Sequence, residues 1–335
     1  MLRFLFWRLV QSVIVLWAVY TITFVLLMMT PGDPFLGSSE KRPPQAVLQK
    51  LADKYHMGYL VRSDRATMSA REKIAAVGEI YGYYLYWALQ GDLGPSIEFE
   101  NRTVTEMIAV SLPVSLTLGS LSLLIALWLG VLTGTLGAVR KNRPADMGLS
   151  VVSLLGVSLP SFVVGLLLMM AFVVALPWLP PGGWGAGGTG GVGGVLRGLL
   201  RLILPATTLA LFFLAYIARL TRSSTLDVLS ADFVRTARAK GQRPGIIISR
   251  HVGANASLPI LSYLGPAAAN VLVGSFVVEK LFTIPGLGQH FVNGCLSKDI
   301  PLVLGAVLVY SAMVVLFNLL VDLAYAVVDP RIVLA

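Results

Sequence analysis

The chain carries little charge for its length. Of its 335 residues only 13% are charged and 56% are apolar, whereas an average soluble domain has roughly 25% charged residues. Its mean hydropathy is +0.78. Because the charges are missing from long continuous stretches, the composition indicates a membrane protein that crosses the bilayer several times.

Cysteine and histidine are also scarce, which argues against disulfide bonds and against metal sites. Cys295 is the only cysteine, so an intrachain disulfide and a cysteine-based metal cluster are both excluded. His56, His251 and His290 stand far apart, without the paired spacing of metal ligands. We therefore expect no metal site and no cofactor bound by this chain.

Basic residues outnumber acidic ones by 26 to 17, which gives a net charge of +9. They cluster near the N-terminus, at 140–143 and across 219–250, each time beside an apolar run. This is how Lys and Arg mark the cytoplasmic ends of membrane spans. No soluble domain is visible that could present a basic face to a nucleic acid, so nucleic-acid binding is not predicted.

Six apolar runs are long enough to cross a hydrocarbon core of about 30 Å as helices. The first follows Arg3 and Arg8 and is longer than the apolar part of a signal peptide, so we interpret it as a retained span. We expect an all-α integral membrane protein with six transmembrane helices, at 9–29, 112–138, 148–176, 202–222, 258–278 and 302–327.

The basic clusters predict that both termini are cytoplasmic. The organisation that follows is a first transmembrane helix over 1–30, an extracytoplasmic cap over 31–105, and a five-helix core over 106–335. A cytoplasmic loop is expected within this core at about 223–257. The sequence assigns no role to the region 52–80.

Residues 181–194 contain nine glycines. A phosphate-binding loop would follow a strand and end in Lys-Ser or Lys-Thr, and this segment does neither. We interpret it as a flexible linker on the outer side. The chain has no G-x-x-x-x-G-K-[ST] sequence, so it is not predicted to bind ATP by that loop.

The cytoplasmic segment 230–241 reads S-A-D-F-V-R-T-A-R-A-K-G. Ser230 or Asp232 can cap the start of a helix, and Gly241 can take the left-handed conformation that ends one. The pattern predicts a helix of two to three turns between them.

This short helix is predicted to be amphipathic. Arg235, Arg238 and Gln242 fall on one side, whereas Phe233 and Ala237 stack at i and i+4. A helix of this length cannot cross a membrane. It either lies on anionic lipid at the inner surface or inserts into a groove of a partner protein, and the residues alone leave both interpretations open.

The fifth apolar run is rich in small residues and contains Pro266 and Asn270. Small residues let helices approach closely, so we expect this span to be buried among other helices. Two interpretations of this composition remain open. The small residues serve tight packing between helices, or the helix lines a transport pathway that opens and closes. Glu279 lies at its outer end, where it forms a structural ion pair or cap or contacts substrate.

Six short motifs resemble, in order, those of the dipeptide/oligopeptide permease family of ATP-binding cassette importers. They are T-P-G-D-P at 30–34, G-D-L-G-P-S at 91–96, G-V-S-L-P-S-F at 156–162, R-T-A-R-A-K-G at 235–241, E-K-L-F-T-I-P-G-L-G at 279–288 and N-L-L-V-D-L-A-Y-A-V-V-D-P-R at 318–331. The fourth resembles the family's E-A-A-x-x-x-G loop, with Arg235 in place of the Glu and Thr236 in place of the first Ala.

The resemblance implies a type I importer permease bundle in the bacterial cytoplasmic (inner) membrane. It implies transport of di- or oligopeptides, or of a related small solute, by a subunit that is not itself an enzyme. The implied partners are membrane lipid, a second permease subunit, an extracytoplasmic solute-binding protein and two ATPase subunits that use ATP-Mg. An ion-gradient-driven transporter or a channel is the alternative, but neither internal repeats nor acids at mid-span are evident.

The resemblance also implies roles for individual residues. Those expected to couple the chain to the ATPase are Phe233, Arg235, Thr236, Ala237, Arg238, Ala239, Lys240 and Gly241. Those expected at a substrate pathway or gate are Asn270, Glu279, Pro285 and Gly286.

Overall fold

The computed structural model describes residues 2–30, 45–61, 68–99, 102–185, 192–272 and 276–328. Every regular element in these ranges is helical, which confirms the all-α prediction. The helices are α1 (Leu2–Met29), α2 (Gln45–Lys54), α3 (Gly58–Val61), α4 (Ala70–Leu89), α5 (Val104–Val139), α6 (Pro144–Ser158), α7 (Ser161–Met169), α8 (Val192–Ser230), α9 (Asp232–Ala239), α10 (Pro244–Ile246), α11 (Gly253–Leu272), α12 (Phe276–Leu281), α13 (Leu287–Ser297) and α14 (Ile300–Val328).

Four of the described helices are long and apolar enough to cross a membrane. They are α1, α5, α8 and α14, and they coincide with the predicted spans 9–29, 112–138, 202–222 and 302–327. The part of α8 that is apolar enough to cross a membrane covers Arg197–Ser230. It continues well beyond residue 222, where the predicted span ends. The segment 223–257, which the sequence predicts to be cytoplasmic, is therefore helical from its beginning.

The third predicted span, 148–176, is not the single helix that the sequence predicts. α6 ends at Ser158 and α7 begins at Ser161, with Pro160 at the N-cap in an extended conformation (φ −58°, ψ 140°). Pro160 has no N–H to donate, and its ring disfavours helical backbone at Leu159. Beyond α7 the chain continues as a π-helical turn over Met170–Ala175.

The fifth predicted span, 258–278, differs in another way. α11 begins earlier, at Gly253, and the polar residues Asn255 and Asn270 with two prolines keep it outside the four apolar spans. Residues 273–275 lie outside the described residues. Part of the predicted 181–194 linker also lies outside them, and its last three residues form the first turn of α8.

The chain divides into two compact units. Residues 1–4, 114–285 and 313–335 form the core unit, and residues 5–113 and 286–312 form the N-terminal unit. These boundaries cut through α5 and α14, so each long helix contributes one part to each unit.

The N-terminal unit is built around aromatic residues. Tyr20 of α1 and Tyr84 of α4 are buried together with Tyr55. The Tyr84 hydroxyl donates to the Tyr55 carbonyl (2.9 Å), and the Tyr55 hydroxyl donates to the Ser96 carbonyl (2.8 Å). The Ser96 hydroxyl in turn donates to the buried carboxylate of Asp299 (2.5 Å). This chain of bonds joins α4, the 91–96 motif and the beginning of α14.

The core unit is organised around α8. This helix has 39 residues and, at a rise of about 1.5 Å per residue, is about 58 Å long. Glycines of neighbouring helices approach it closely. A Cβ built on Gly134 of α5 would stand 2.4 Å from the Ala218 carbonyl oxygen, and one on Gly130 would stand 2.8 Å from Ile217. Neighbouring backbones can pack at this distance only where the side chain is a hydrogen atom.

Gly134→Ala is expected to destabilise the protein by about 1–3 kcal/mol, because the added methyl must push α5 away from α8. The measurement is thermal unfolding of the purified chain in detergent. Gly148→Ala in α6 is the matched control, since nothing lies within 4 Å of its Cβ position and alanine favours the helix. Equal unfolding temperatures for the two variants would contradict the close α5–α8 packing.

Candidate functional site

The helix predicted at 230–241 is present as α9, two turns long. Its N-cap is Ala231 (φ −69°, ψ 149°), so the prediction of Ser230 or Asp232 at this position was wrong. The reason is that α8 continues through Ser230, whose hydroxyl donates to the Asp227 carbonyl at 2.7 Å. Asp232 is already the first helical residue, and its carboxylate lies 3.5 Å from Arg235.

The end of α9 is as predicted. Gly241 has φ +74°, the left-handed conformation. Its N–H donates to the Arg238 carbonyl (3.0 Å), and the N–H of Gln242 donates to the Ala237 carbonyl (3.2 Å). These two bonds form a Schellman motif, which turns the chain sharply and satisfies carbonyls that the helix leaves free.

α9 buries one narrow face. Val234 and Ala237 are 0% and 5% exposed, whereas Phe233 is 47% exposed. Phe233 and Ala237, although four residues apart on the helix, therefore do not share its buried face. The buried stripe follows i, i+3 because α9 packs against the end of α8 and the turn before α11. The cluster that results contains Val234, Ala237, Ile247, Val252 and Ala256, with Val228 and Leu229 at its edge.

The opposite face of α9 is basic and accessible. Arg235, Arg238 and Lys240 are exposed, together with Thr236 and Ala239. The contact of Arg235 with Asp232 joins two exposed side chains, so it contributes little to stability. Three positive charges and an exposed aromatic ring thus stand beside a single carboxylate.

α9 is held between two long helices. Ala231 alone separates it from α8. On its other side α10 and a π-helical turn, Ile247–Val252, lead directly into α11. The buried face contacts both the end of α8 and the beginning of α11, so α9 joins these two helices through a single cluster.

An ion pair between the buried Asp146 and the partly exposed Arg222 fixes α6 to α8 near the same end of α8. Arg222 donates from Nε to Asp146 Oδ1 (2.6 Å) and from a terminal nitrogen to Oδ2 (2.7 Å), and the Asn142 N–H donates to Oδ2 (2.9 Å). The Arg222 hydrogen bonds lower the pKa of the Asp146 carboxyl to about 2. Sequence reasoning did not assign this pair, although Asp146 is the only acid among the basic residues of 139–147.

The residues expected at a pathway or gate do not form one cluster. Glu279 is fully buried, where it accepts a hydrogen bond from Ser115 Oγ of α5 (2.8 Å). Asn270 is exposed and lines a cavity of about 450 Å³ with Ser158, Ser161 and Thr208. Pro285 ends a core-unit segment, and Gly286 begins the next segment of the N-terminal unit as the N-cap of α13. The gate stays a prediction.

Comparison with known proteins decides the family. Residues 126–334 match the model of the binding-protein-dependent transport system inner membrane component. The chain belongs to this family. The match includes α9 and the Asp146–Arg222 pair.

Relatives extend the similarity over the whole chain. The oligopeptide transport system permease protein OppB of Salmonella typhimurium is 39% identical over 332 residues, and OppB of Escherichia coli K12 is 38% identical over 332 residues. Each alignment covers 99% of both chains. The dipeptide transport system permease protein DppB of Bacillus subtilis is 35% identical over 327 residues, 98% of this chain and 96% of the relative.

Asp146→Asn is expected to lower the free energy of unfolding by about 2 kcal/mol at neutral pH, because Arg222 loses its charged partner. The pKa of Asp146 in the folded chain is lowered to about 2. Its contribution is therefore complete above the unfolded value, near 4, and is lost as the pH falls from there towards 2.

Thermal unfolding of the wild type and the Asn variant between pH 7 and pH 3 checks this. The difference in unfolding temperature should shrink as the pH falls. Asp227→Asn is the control, since this carboxylate is exposed on α8. A difference that is constant with pH would contradict the ion pair.

Proposed function

We propose that this chain is the permease subunit of an importer for di- or oligopeptides, driven by separate ATPase subunits. The observation that carries the proposal is α9, whose basic exposed face lies outside a buried cluster that joins α8 to α11. Membership of the binding-protein-dependent family supports an importer. The names of the full-length relatives support peptides as substrates.

We propose six membrane crossings with both termini in the cytoplasm. Four crossings are α1, α5, α8 and α14, and the remaining two are formed by α6 with α7 and by α11 with α12. α8 is about twice as long as the hydrocarbon core is thick. Its C-terminal turns therefore extend into the cytoplasm, where the basic residues of 219–250 are favoured.

The proposed partners follow from the exposed surface of α9. Phe233 inserts into an apolar pocket of an ATPase subunit, and Arg235, Arg238 and Lys240 meet acidic side chains around it. ATP-Mg is bound by the ATPases. Closure of the two ATPases displaces α9, and α8 and α11 transmit this movement as alternating access. A second permease and a solute-binding protein complete the importer.

For the pathway we propose different roles for the four candidate residues. Asn270 contacts substrate, because it is exposed and supplies an amide to an open, mostly apolar cavity whose other polar residues are Ser158, Ser161 and Thr208. Glu279 positions α12 against α5 through Ser115, since it is fully buried. Pro285 and Gly286 act as a gate at the connection between α12 and α13, through a change of their own backbone conformation.

The proposal is tested by isolating the assembly. The tagged full-length chain, extracted from its native membrane in mild detergent, should carry a second permease and ATPases with a phosphate-binding loop. Reconstituted with the solute-binding protein, it should take up a labelled tripeptide only with ATP on the ATPase side. Uptake driven by an ion gradient without ATP, or a stable preparation of this chain alone, would contradict the proposal.

Phe233→Ala should weaken ATPase association by about tenfold, because the exposed ring loses an apolar pocket at the interface. The measurement is the amount of ATPase that co-purifies at several salt concentrations. Ile246→Ala is the matched control, since Ile246 of α10 is similarly exposed (46%) outside α9. Equal losses in both variants would show that α9 is not the docking element.

Gly241→Val should lower peptide uptake by about tenfold at normal protein level, since a β-branched residue is strained at φ +74°. Gly241→Asn should retain most activity, because asparagine tolerates this conformation. Gly245→Val is the control, as this exposed glycine lacks a positive φ and has open space around it. Full uptake by Gly241→Val would remove the turn from the coupling mechanism.

A further inference from the structure

A cleft of about 280 Å³ lies between α5, α6 and α8 in the core unit. Its walls are apolar and include Leu149, Leu154 and Ala218. Its polar residues are Thr133 of α5, whose hydroxyl donates to the Leu129 carbonyl, Ser150 and Ser153 of α6, and Arg219 and Arg222 of α8. The two serines stand three residues apart on one face of α6. Nothing in the coupling mechanism uses this cleft.

The charge of the cleft is unbalanced. Of its two arginines, Arg222 is occupied by both oxygens of Asp146. Arg219 is exposed, and within the described part of the chain its guanidinium contacts only the ring of Tyr216, at 5.3 Å from the centroid. The residues that line the cleft, all of them described, include no acid. A positive charge therefore stands beside hydroxyl donors without a protein counterion.

We propose that this cleft binds the headgroup phosphate of an anionic phospholipid. A guanidinium presents a planar set of donors that fits phosphate oxygens, and the two serine hydroxyls add neutral donors opposite it. Basic pockets between transmembrane helices on the cytoplasmic side bind anionic headgroups. The inference rests on the proposed orientation of α8, which places Arg219 near the cytoplasmic membrane surface.

A phospholipid fits the surroundings better than a free phosphate does. Beyond the serines, α6 exposes Val151 (57%) and Leu154 (65%). An acyl chain attached to the bound phosphate covers these side chains, whereas an inorganic ion gains nothing from them. The basic residues of the adjacent segment 139–147 add attraction for an anionic surface.

The position of the lipid gives it a mechanical role. It contacts α8 one turn before Arg222, the residue that fixes α8 to α6. α8 continues from there to α9. A bound anionic lipid thus stabilises the position of α8, the helix that leads into α9.

Lipid retention by the purified full-length chain tests the inference. The protein is exchanged into nanodiscs with equal phosphatidylglycerol and phosphatidylcholine, extracted into detergent and analysed by native mass spectrometry. Arg219→Gln should lower retained phosphatidylglycerol about fivefold, the effect of one basic residue near an anionic lipid. Arg219→Lys, which keeps the charge, should retain more than the Gln variant.

Arg197→Gln is the matched control, because Arg197 is an exposed arginine at the opposite end of α8. Equal losses in Arg197→Gln and Arg219→Gln would mean that general surface charge holds the lipid, and the site would be wrong. Release by millimolar inorganic phosphate would identify a free-anion site and overturn the lipid assignment.

Ser153→Leu, which fills the cleft without removing charge, should also lower retention and keeps the test informative if Arg219→Gln unfolds. Retention unchanged in Ser153→Leu would overturn the site. The assay needs neither peptide nor ATPase, so its failure is separate from a failure of the proposed transport function.

Discussion

Close backbone approach to α8 is the interaction on which the core unit depends. Gly134 and Gly130 of α5 and Gly156 of α6 each place a hydrogen atom where a larger side chain would meet α8. Within a bilayer the hydrophobic effect does not favour helix association, because lipid is as apolar as a leucine side chain. Van der Waals contact between closely packed backbones replaces it, and α8 supplies one side of each of these contacts.

The proposed coupling depends on the same packing. α8 runs unbroken to Ser230, and the pair of Arg222 with Asp146 fixes its rotation relative to α6. Ala231 is the only residue between α8 and α9. In the proposed mechanism a displacement of α9 therefore passes to α8, and through the cluster around Val234 to α11.

Local signals in the sequence predicted local features of the structure. Features that depend on contacts between distant residues could not be predicted in this way. Hydropathy located four spans, and the spacing to Gly241 predicted the end of α9. Hydropathy could not detect the break at Pro160. An average of residue hydropathies does not record that proline lacks the backbone N–H needed for a helical hydrogen bond. The N-cap and the buried face of α9 depended on where α8 ends. The pair of Asp146 with Arg222 joins residues 76 positions apart, which no motif encodes.

Three buried acids show why exposure, and not charge alone, separates structural from functional residues here. Asp146, Glu279 and Asp299 are at most 3% exposed. Each accepts hydrogen bonds from residues distant in sequence: Arg222 for Asp146, Ser115 for Glu279, and Ser96 with the N–H groups of 97 and 98 for Asp299. A buried acid is tolerated only with such donors, so moving it away from them is costly. These acids therefore hold helices in register, whereas the partner and lipid contacts proposed above use the exposed charges of α9 and Arg219.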